Sequence, residues 1–477
     1  MGDENLTKIR RKVVAVDGRA QRDFFEPGRA TPGRRRRVGG SPFVDPDPSP
    51  VAIGNELLHD YLESRGIIAP LLVRQVVRAQ KWDDFEAAYS GSGRPPYHPA
   101  LLVGLVLYGV MEGKGSLREI EDLAKRDVGA MWVTGGACPD HATVGRCLQL
   151  HAERLSAGFF EGLTRSVLEL MKAKPKVFAG DGTIIEAAGS RFQTIKLEAA
   201  QEEAKKAKSR AASAPNDPDV QRDAEKKQAI ADVAEARAER RSQWGGNVKA
   251  TRACTTEPDA PVLKGKRGEF LPAYTTSIVA TPERVIVGQH VHPTSEIAAV
   301  KPLIEQVDRI VETEPDEEKT LLLDRGYDCG PIAELAVERN INLLCPTGRR
   351  KAKPIEGKKF PKERFCYCEE LDVYICPEGK QLKKSGRRSD SRRGLQYDAY
   401  VSSRTTCRAR PTKQKCVPSE KPPRKTIARY DHDAAREALR QVMKQPRALK
   451  VLAQRVAIVE PVFSELRGVQ GLRKFRR

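Results

Sequence analysis

Short apolar runs that end on a polar residue recur through the middle of the chain. The plainest is "LLLDRGYD", residues 321–328, where Asp324 closes three leucines. A run of that kind is the pattern of a strand buried on both faces. An acid at its C-terminal end sits at the rim of a sheet, where open α/β folds hold ligands and metals. The same reading makes "KVFAGDGTIIEA", which carries Asp181, a strand, and "FLPAYTTSIVA" and "RVIVGQHVH" two more, joined by "TPE". "SEIAAVKPLIEQVDRIV" follows as an amphipathic helix, then "KTLLLD", the helix "GPIAELAVERN" and the strand "INLLCP". The order β, β, β, α, β, α, β predicts an α/β core with a mixed five-stranded sheet, drawn from residues 175–350 and 429–477.

The flanks read differently. Residues 51–174 carry helical periodicity: Pro99 stands at a helix start before "ALLVGLVLYGVM", "SLRE" at Ser116–Glu119 is a capping box, and Asp140 or Thr143 can cap the helix in "PDHATVGRCLQLHAERL". Several short helices with basic loops suit a helix-turn-helix-like DNA reader. They suit an all-helical packing domain equally, because spacing alone does not identify a recognition helix. Residues 191–244 are Ala-, Glu-, Lys- and Arg-rich on both sides of "APNDPD", which predicts a charged helical hairpin. Residues 351–428 form a basic insertion with five cysteines. Helical periodicity returns at the C-terminus, with Gln445-Pro446 dividing two helices.

Composition then narrows the partner. Lys plus Arg number 84 against 64 Asp plus Glu, a formal charge of +20 over 477 residues. The charge is clustered, so a polyanion, double-stranded DNA first, fits better than solubility alone. Residues 1–50 are rich in Arg, Pro and Gly and predict a flexible basic arm, with Arg34, Arg35, Arg36 and Arg37 as DNA-backbone contacts. A membrane is a poorer partner, since Ala100–Met111 is too short an apolar stretch to span a bilayer. "MGDENLTKIRRK" has no apolar signal region, and Leu6 stands where a myristoylation motif wants Ser or Thr, so a cytoplasmic, nucleoid-associated protein is expected. Its ten cysteines are then reduced thiols or metal ligands rather than a disulfide framework.

Three acids stand out by position: Asp181 within the first strand, Asp324 at the end of the fourth, and Glu460 on the last helix. In a sheet of three antiparallel strands continued by parallel ones, the first and fourth strands are neighbours, and a C-terminal helix can cross them. Carboxylates gathered this way repel unless a cation neutralises them. Oxygen donors select Mg²⁺ or Mn²⁺ over Zn²⁺, and two such ions about 3.5–4 Å apart suit in-line phosphoryl transfer.

The stretches "GRPPYHPALLVGLVLYGVMEGKGSLREIEDLA", "PDHATVGR", "AGDGTIIEA", "LLLDRGYD", "YICPEGK" and "RVAIVEPVFSELRGVQGLRKF" together resemble the DDE transposases of bacterial insertion sequences, from about Gly93 to the C-terminus. The resemblance implies an RNase H-like catalytic core behind a helical DNA-binding domain, with a Cys-bearing insertion before the last catalytic helix. It maps the family's triad onto Asp181, Asp324 and Glu460, and implies Mg²⁺-dependent cleavage at the element's inverted repeats, strand transfer, and a homo-oligomer. Against this, Asp324 could simply cap the next helix near Gly330. Glu465 is the rival third acid, but five residues along a helix it faces away from Glu460. Arg467, seven residues on, shares that face and could contact a DNA phosphate; Arg455, before Pro461, is the second such candidate.

Cys366, Cys368, Cys376, Cys407 and Cys416 could supply a structural zinc, yet Arg410 stands where the family often has a Cys, so packing thiols are preferred. His290 and His292 share a strand face but lack further clustered ligands, which favours exposed histidines near DNA over a metal pair. No GxxxxGK[ST], HExxH or GxSxG is present. Two alternatives to a transposase stand: a DNA-binding protein derived from one without catalysis, and a metal-dependent nuclease. The chain stops at Arg477, where relatives generally continue, which keeps a shortened copy in view.

Overall fold

The computed structural model describes residues 43–475, apart from 90–93, 244, 266–267, 293–295, 313–316, 348–359, 391–393, 406–415 and 417–423. Arg34–Arg37, Cys407 and Arg410 therefore lie outside the described residues. The chain divides into two bodies, one from Met1–Glu239, Asn247–Glu317 and Val456–Arg477, the other from Arg240–Gly246 and Glu318–Arg455.

Among the described residues the first body has a short antiparallel strand pair, Ala52–Ile53 with Glu56–Leu57, and then eight helices: α1 (Leu58–Ser64), α2 (Ala69–Arg78), α3 (Asp83–Glu86), α4 (Pro99–Met111), α5 (Leu117–Arg126), α6 (Val128–Thr134), α7 (His141–Leu150) and α8 (Ala157–Leu170). Apolar almost all round, α4 is the central post, with Leu101, Leu102, Val103, Leu105 and Tyr108 buried. Pro99 occupies its first turn, and His98 Nδ1 accepts from Ala100 N–H at 3.0 Å. The capping box forms as predicted: Glu119 N–H donates to Ser116 Oγ (3.3 Å) and Gly115 N–H to Glu119 Oε2 (3.0 Å). Of the two possible caps on α7, Asp140 is the one used, its Oδ1 accepting from Thr143 N–H at 2.6 Å. Residues 43–50, placed in the arm by composition, instead fold against these helices. Phe43 is buried with its ring against Tyr89 and His98, and Asp45 pairs with Arg78. One aromatic side chain with a pocket to fill outweighs the Pro- and Asp-rich residues around it.

Next comes β1 (Val177–Glu186), then β2 (Thr194–Lys196), the helices α9 (Leu197–Ser213) and α10 (Pro218–Gln243), and β3 (Arg252–Cys254), which pairs antiparallel with β2. The "APNDPD" stretch lies at the turn between α9 and α10. The hairpin closes on small residues: Ala200, Ala204, Ala207 and Ala211 are buried on α9, and Ile230, Ala231 and Ala234 on α10. After β4 (Val262–Lys264), β5 (Phe270–Ala280) pairs antiparallel with β1, with β4 and with β6 (Ile286–His292), and α11 (Glu296–Ile310) packs its apolar side on β5 and β6.

In the second body β7 (Lys319–Leu322), α12 (Gly330–Glu338) and β8 (Ile341–Leu344) make a parallel β-α-β unit. The Lys- and Arg-rich insertion, for which composition predicted no elements, folds as an antiparallel meander: β9 (Cys366–Cys368), β10 (Val373–Ile375), β11 (Gln381–Asp390), β12 (Leu395–Ser402) and β13 (Thr426–Tyr430). Tyr374, Leu382, Tyr400 and Ile427 fill its core. Then α13 (Asp433–Val442) and α14 (Pro446–Leu452) follow, divided at Gln445-Pro446 as expected. The chain closes with α15 (Gln454–Ser464), whose end widens into a π-helix at Glu465–Val469. In all, antiparallel and parallel strand pairing occurs among many helices. No helix of the described residues is long and apolar enough to cross a membrane.

Candidate metal centre

Asp181 sits mid-strand in "VFAGDGTIIE", a run of small and β-branched residues that favours a pleated, half-buried surface. In the β1–β5 register Asp181 faces Ile278 and Thr183 faces Thr276. Alternation along the strands puts these four side chains on one face of the sheet. Gly182 N–H donates to Asp181 Oδ1 at 2.8 Å. On the opposite face a Cβ at Gly182 would stand 2.7 Å from the Glu296 carboxyl group, so close approach, not flexibility, requires the glycine there. Opposite Thr183, Thr276 Oγ1 is buried with no hydrogen-bond partner among the described residues. Carboxylate oxygens with an orphaned hydroxyl on the same face are a donor set that suits a hard divalent cation.

Glu460 is exposed on α15, while its neighbours Ile458, Val459 and Val462 are buried. Straight α-helical spacing would present Arg467 beside Glu460, but the π-helical turn alters its direction. Its guanidinium donates to Thr183 Oγ1 and, at 3.0 Å, to the Ile184 carbonyl oxygen. It therefore clasps the strand that carries Asp181. Beyond it, Glu186 N–H donates to Arg473 O and Phe475 N–H to Glu186 O, and the Phe475 ring meets Tyr274 edge-on. Both ends of this C-terminal stretch are thus tied to β1 or its partner.

Asp324 lies in the second body, one residue past the buried run Leu321–Leu323. It does cap, but not at Gly330: Asp324 Oδ1 accepts from Gly326 N–H at 2.6 Å, opening the 3₁₀ turn Arg325–Tyr327. Two groups that sequence reasoning passed over hold this turn. Asp328, its side chain 6% exposed, accepts from Arg436 Nε at 3.0 Å. Cys345 donates its S–H to the Asp324 carbonyl at 2.9 Å. Burial, with Asp328 and Asp324 nearby, pushes that thiol up to about 12, so it stays a donor. A sequence signal for Cys345 exists: "LLLD" and "NLLC" are two apolar runs that stop on a polar residue, and parallel pairing ends both at one rim. Gly330 is fixed by close approach, since a Cβ there would lie 1.7 Å from the His432 ring.

The remaining candidates distribute as follows. Arg455 is half-buried, and its charge reaches Cys345. Cys366 is exposed and Cys368 half-buried on β9; Cys376 is buried, accepts from Lys380 N–H at 3.4 Å, and shares an apolar cluster with Cys416. His290 and His292 share a face as expected, with ring centroids 6.0 Å apart, but are half-buried rather than exposed. Among the described residues the one group of three ligating side chains with donor atoms within 4.8 Å of one another is His59, Asp60 and Glu63, all exposed. Neither Asp181 nor Glu460, nor any set of three described cysteines, belongs to such a group.

Two protein families match parts of the chain. Transposase domain (DUF772) matches residues 67–150, which hold α2–α7, and Transposase DDE domain matches residues 375–477, from the end of β10 through α15. The second match contains Glu460, Arg455 and Arg467 and begins after Asp181 and Asp324. No curated protein and no solved structure matches the chain.

Proposed function

Because the chain belongs to the DDE transposases of the insertion-sequence type, we propose that Asp181, Asp324 and Glu460 are its metal ligands and that it cleaves DNA at the ends of its own element and joins them to a target. Such a DDE domain implies an RNase H-like core and divalent-metal use in general. The observation that carries the finer reading is the Arg467 clasp. The segment that follows Glu460 is bonded to the strand two and three residues past Asp181, which links the elements bearing two of the acids within one body. The convergence of Asp324 on them is part of the proposal.

When bound, a pair of Mg²⁺ or Mn²⁺ ions would activate the attacking oxygen and neutralise the leaving oxygen of a phosphodiester. The residues divide the remaining work. The three carboxylates supply hard donors, and Thr276 Oγ1 adds a neutral one on the face of Asp181. Arg467 fixes the strand; Cys345 and the Asp328–Arg436 pair fix the turn of Asp324. The helical domain, with a net charge of +20 on the whole chain behind it, holds the duplex. Two ends cut in concert need at least two copies, so a homo-oligomer forms on DNA.

The test is cleavage and strand transfer by the full chain on duplexes ending in the inverted repeats that flank its coding region, with Mg²⁺. Asp181→Asn, Asp324→Asn and Glu460→Gln should each abolish both reactions while DNA binding persists. Activity surviving in any one of them removes that acid from the centre. Nicked but unjoined products from the parent chain would indicate a nuclease, and binding without either product a decayed transposase.

A further inference from the structure

We propose that α7, His141–Leu150, is the helix that reads base edges in duplex DNA, with Ala142, Arg146 and Gln149 as the reading set. This rests on the proposed binding of element ends. The helix has two unlike sides. Val144 and Cys147 are buried in the helical core, Leu148 packs against it, and at Gly145 an added Cβ would meet Leu117 at 3.1 Å, which seats α7 closely on the start of α5. Ala142, Arg146 and Gln149 are exposed, and their spacing of four and three residues makes one stripe along the helix.

The chemistry of that stripe fits a major groove. An arginine matches guanine O6 and N7 with two hydrogen bonds, a glutamine matches adenine N6 and N7, and an alanine methyl fits against the thymine methyl. Arg146 Nη2 donates to Thr143 Oγ1 at 3.1 Å, which aligns the guanidinium along the helix and leaves its other N–H groups for a base.

Charge selects α7 over its neighbours. No Asp or Glu occurs in His141–Leu150, whereas the exposed side of α5 mixes Arg118, Lys125 and Arg126 with Glu119 and Asp122, and α6 is largely buried. The acids nearest the start of α7 are engaged: Asp140 caps Thr143, and Glu121 bonds Lys125 and His141. Glu153 and Arg154, in the turn beyond, offset each other. Arg118, next to the Leu117 that supports Gly145, is placed to hold a phosphate.

Selection by the full chain from a library of random duplexes tests this. The parent chain should enrich a defined motif. Arg146→Lys, which keeps the charge but not the paired hydrogen bonds, should lose preference at one position by roughly ten- to a hundredfold while retaining affinity for bulk duplex. Gln149→Ala should relax a neighbouring position. Both side chains are exposed, so a far-UV spectrum matching the parent chain's shows that folding is kept. If Arg146→Lys and Gln149→Ala enrich the parent motif unchanged, α7 does not read bases. If Arg146→Ala weakens all duplexes equally and flattens the salt dependence, Arg146 is a phosphate contact and the inference fails. Should the parent chain enrich no motif, the reading of element-end recognition falls, and this inference with it.

Discussion

Asp181 and Asp324 are both acids on apolar strands, yet they are held in different ways. Asp181 is fixed by the sheet itself: neighbours in register, a glycine cut to the shape of Glu296, and one backbone N–H. Asp324 stands past the end of its strand and depends on a tertiary scaffold, the Asp328–Arg436 ion pair and the Cys345 thiol. A mid-strand acid inherits its position from pairing, whereas a rim acid needs a scaffold brought from far along the chain, here Arg436, 108 residues past the Asp328 with which it pairs.

Substitutions can break or sharpen this contrast. The largest effect falls on the acids themselves: the amides at Asp181 and Asp324 should lower cleavage by well over the roughly 10–100-fold typical of losing an outer-shell partner. Next, Arg436→Ala removes the guanidinium from the buried Asp328 carboxylate and should cost about 3–5 kcal/mol in urea unfolding. Adding Asp328→Asn should recover part of that loss, and if it recovers none the ion pair is not what holds the turn. Arg467→Ala, which removes one of the ties between β1 and the C-terminal segment, should cost about 1.5–3 kcal/mol and slow cleavage. Its salt dependence of DNA binding should match the parent chain's, whereas a slope reduced by about one would restore the phosphate contact expected from spacing.

The smallest effect is a pH dependence. The Cys345 thiol pKa is raised above its ordinary 9.0, to about 12, so below pH 9 it is protonated in both folded and unfolded chains and contributes no slope. Above pH 9 only the unfolded chain releases that proton, and stability falls as pH rises, by up to about 1.4 kcal/mol per pH unit. Unfolding midpoints between pH 8 and 10.5 should therefore drop less steeply in Cys345→Ala than in the parent chain.

Much of this was legible beforehand, for physical reasons that differ by region. Pro99, the Ser116–Glu119 box, Asp140 and the "APNDPD" turn act locally, and the structure uses each as written. The strand and helix order of the α/β segment follows from buried runs, which periodicity reports directly. The meander was hidden because β11, "QLKKSGRRSD", has Leu382 alone as a buried residue and takes its form from pairing with β10 and β12. The π-helical turn that holds Arg467 was not legible because one wide turn departs from the 3.6-residue spacing on which the expectation stood. Arg436 acts through a tertiary contact that no local pattern encodes, and Cys345 is signalled only when the runs "LLLD" and "NLLC" are read as a parallel pair.

The α9–α10 hairpin has a further consequence. It leaves and re-enters the chain between Lys196 and Arg252, which are paired residues on adjacent strands, so its two attachment points already stand side by side. Two-residue turns bridge that gap in ordinary β-ribbons. The insert is therefore detachable: excising residues 197–251 in favour of Asn-Gly should leave the β1–β5 sheet folded, and whatever task the hairpin serves can be gained, lost or exchanged without redesigning the rest.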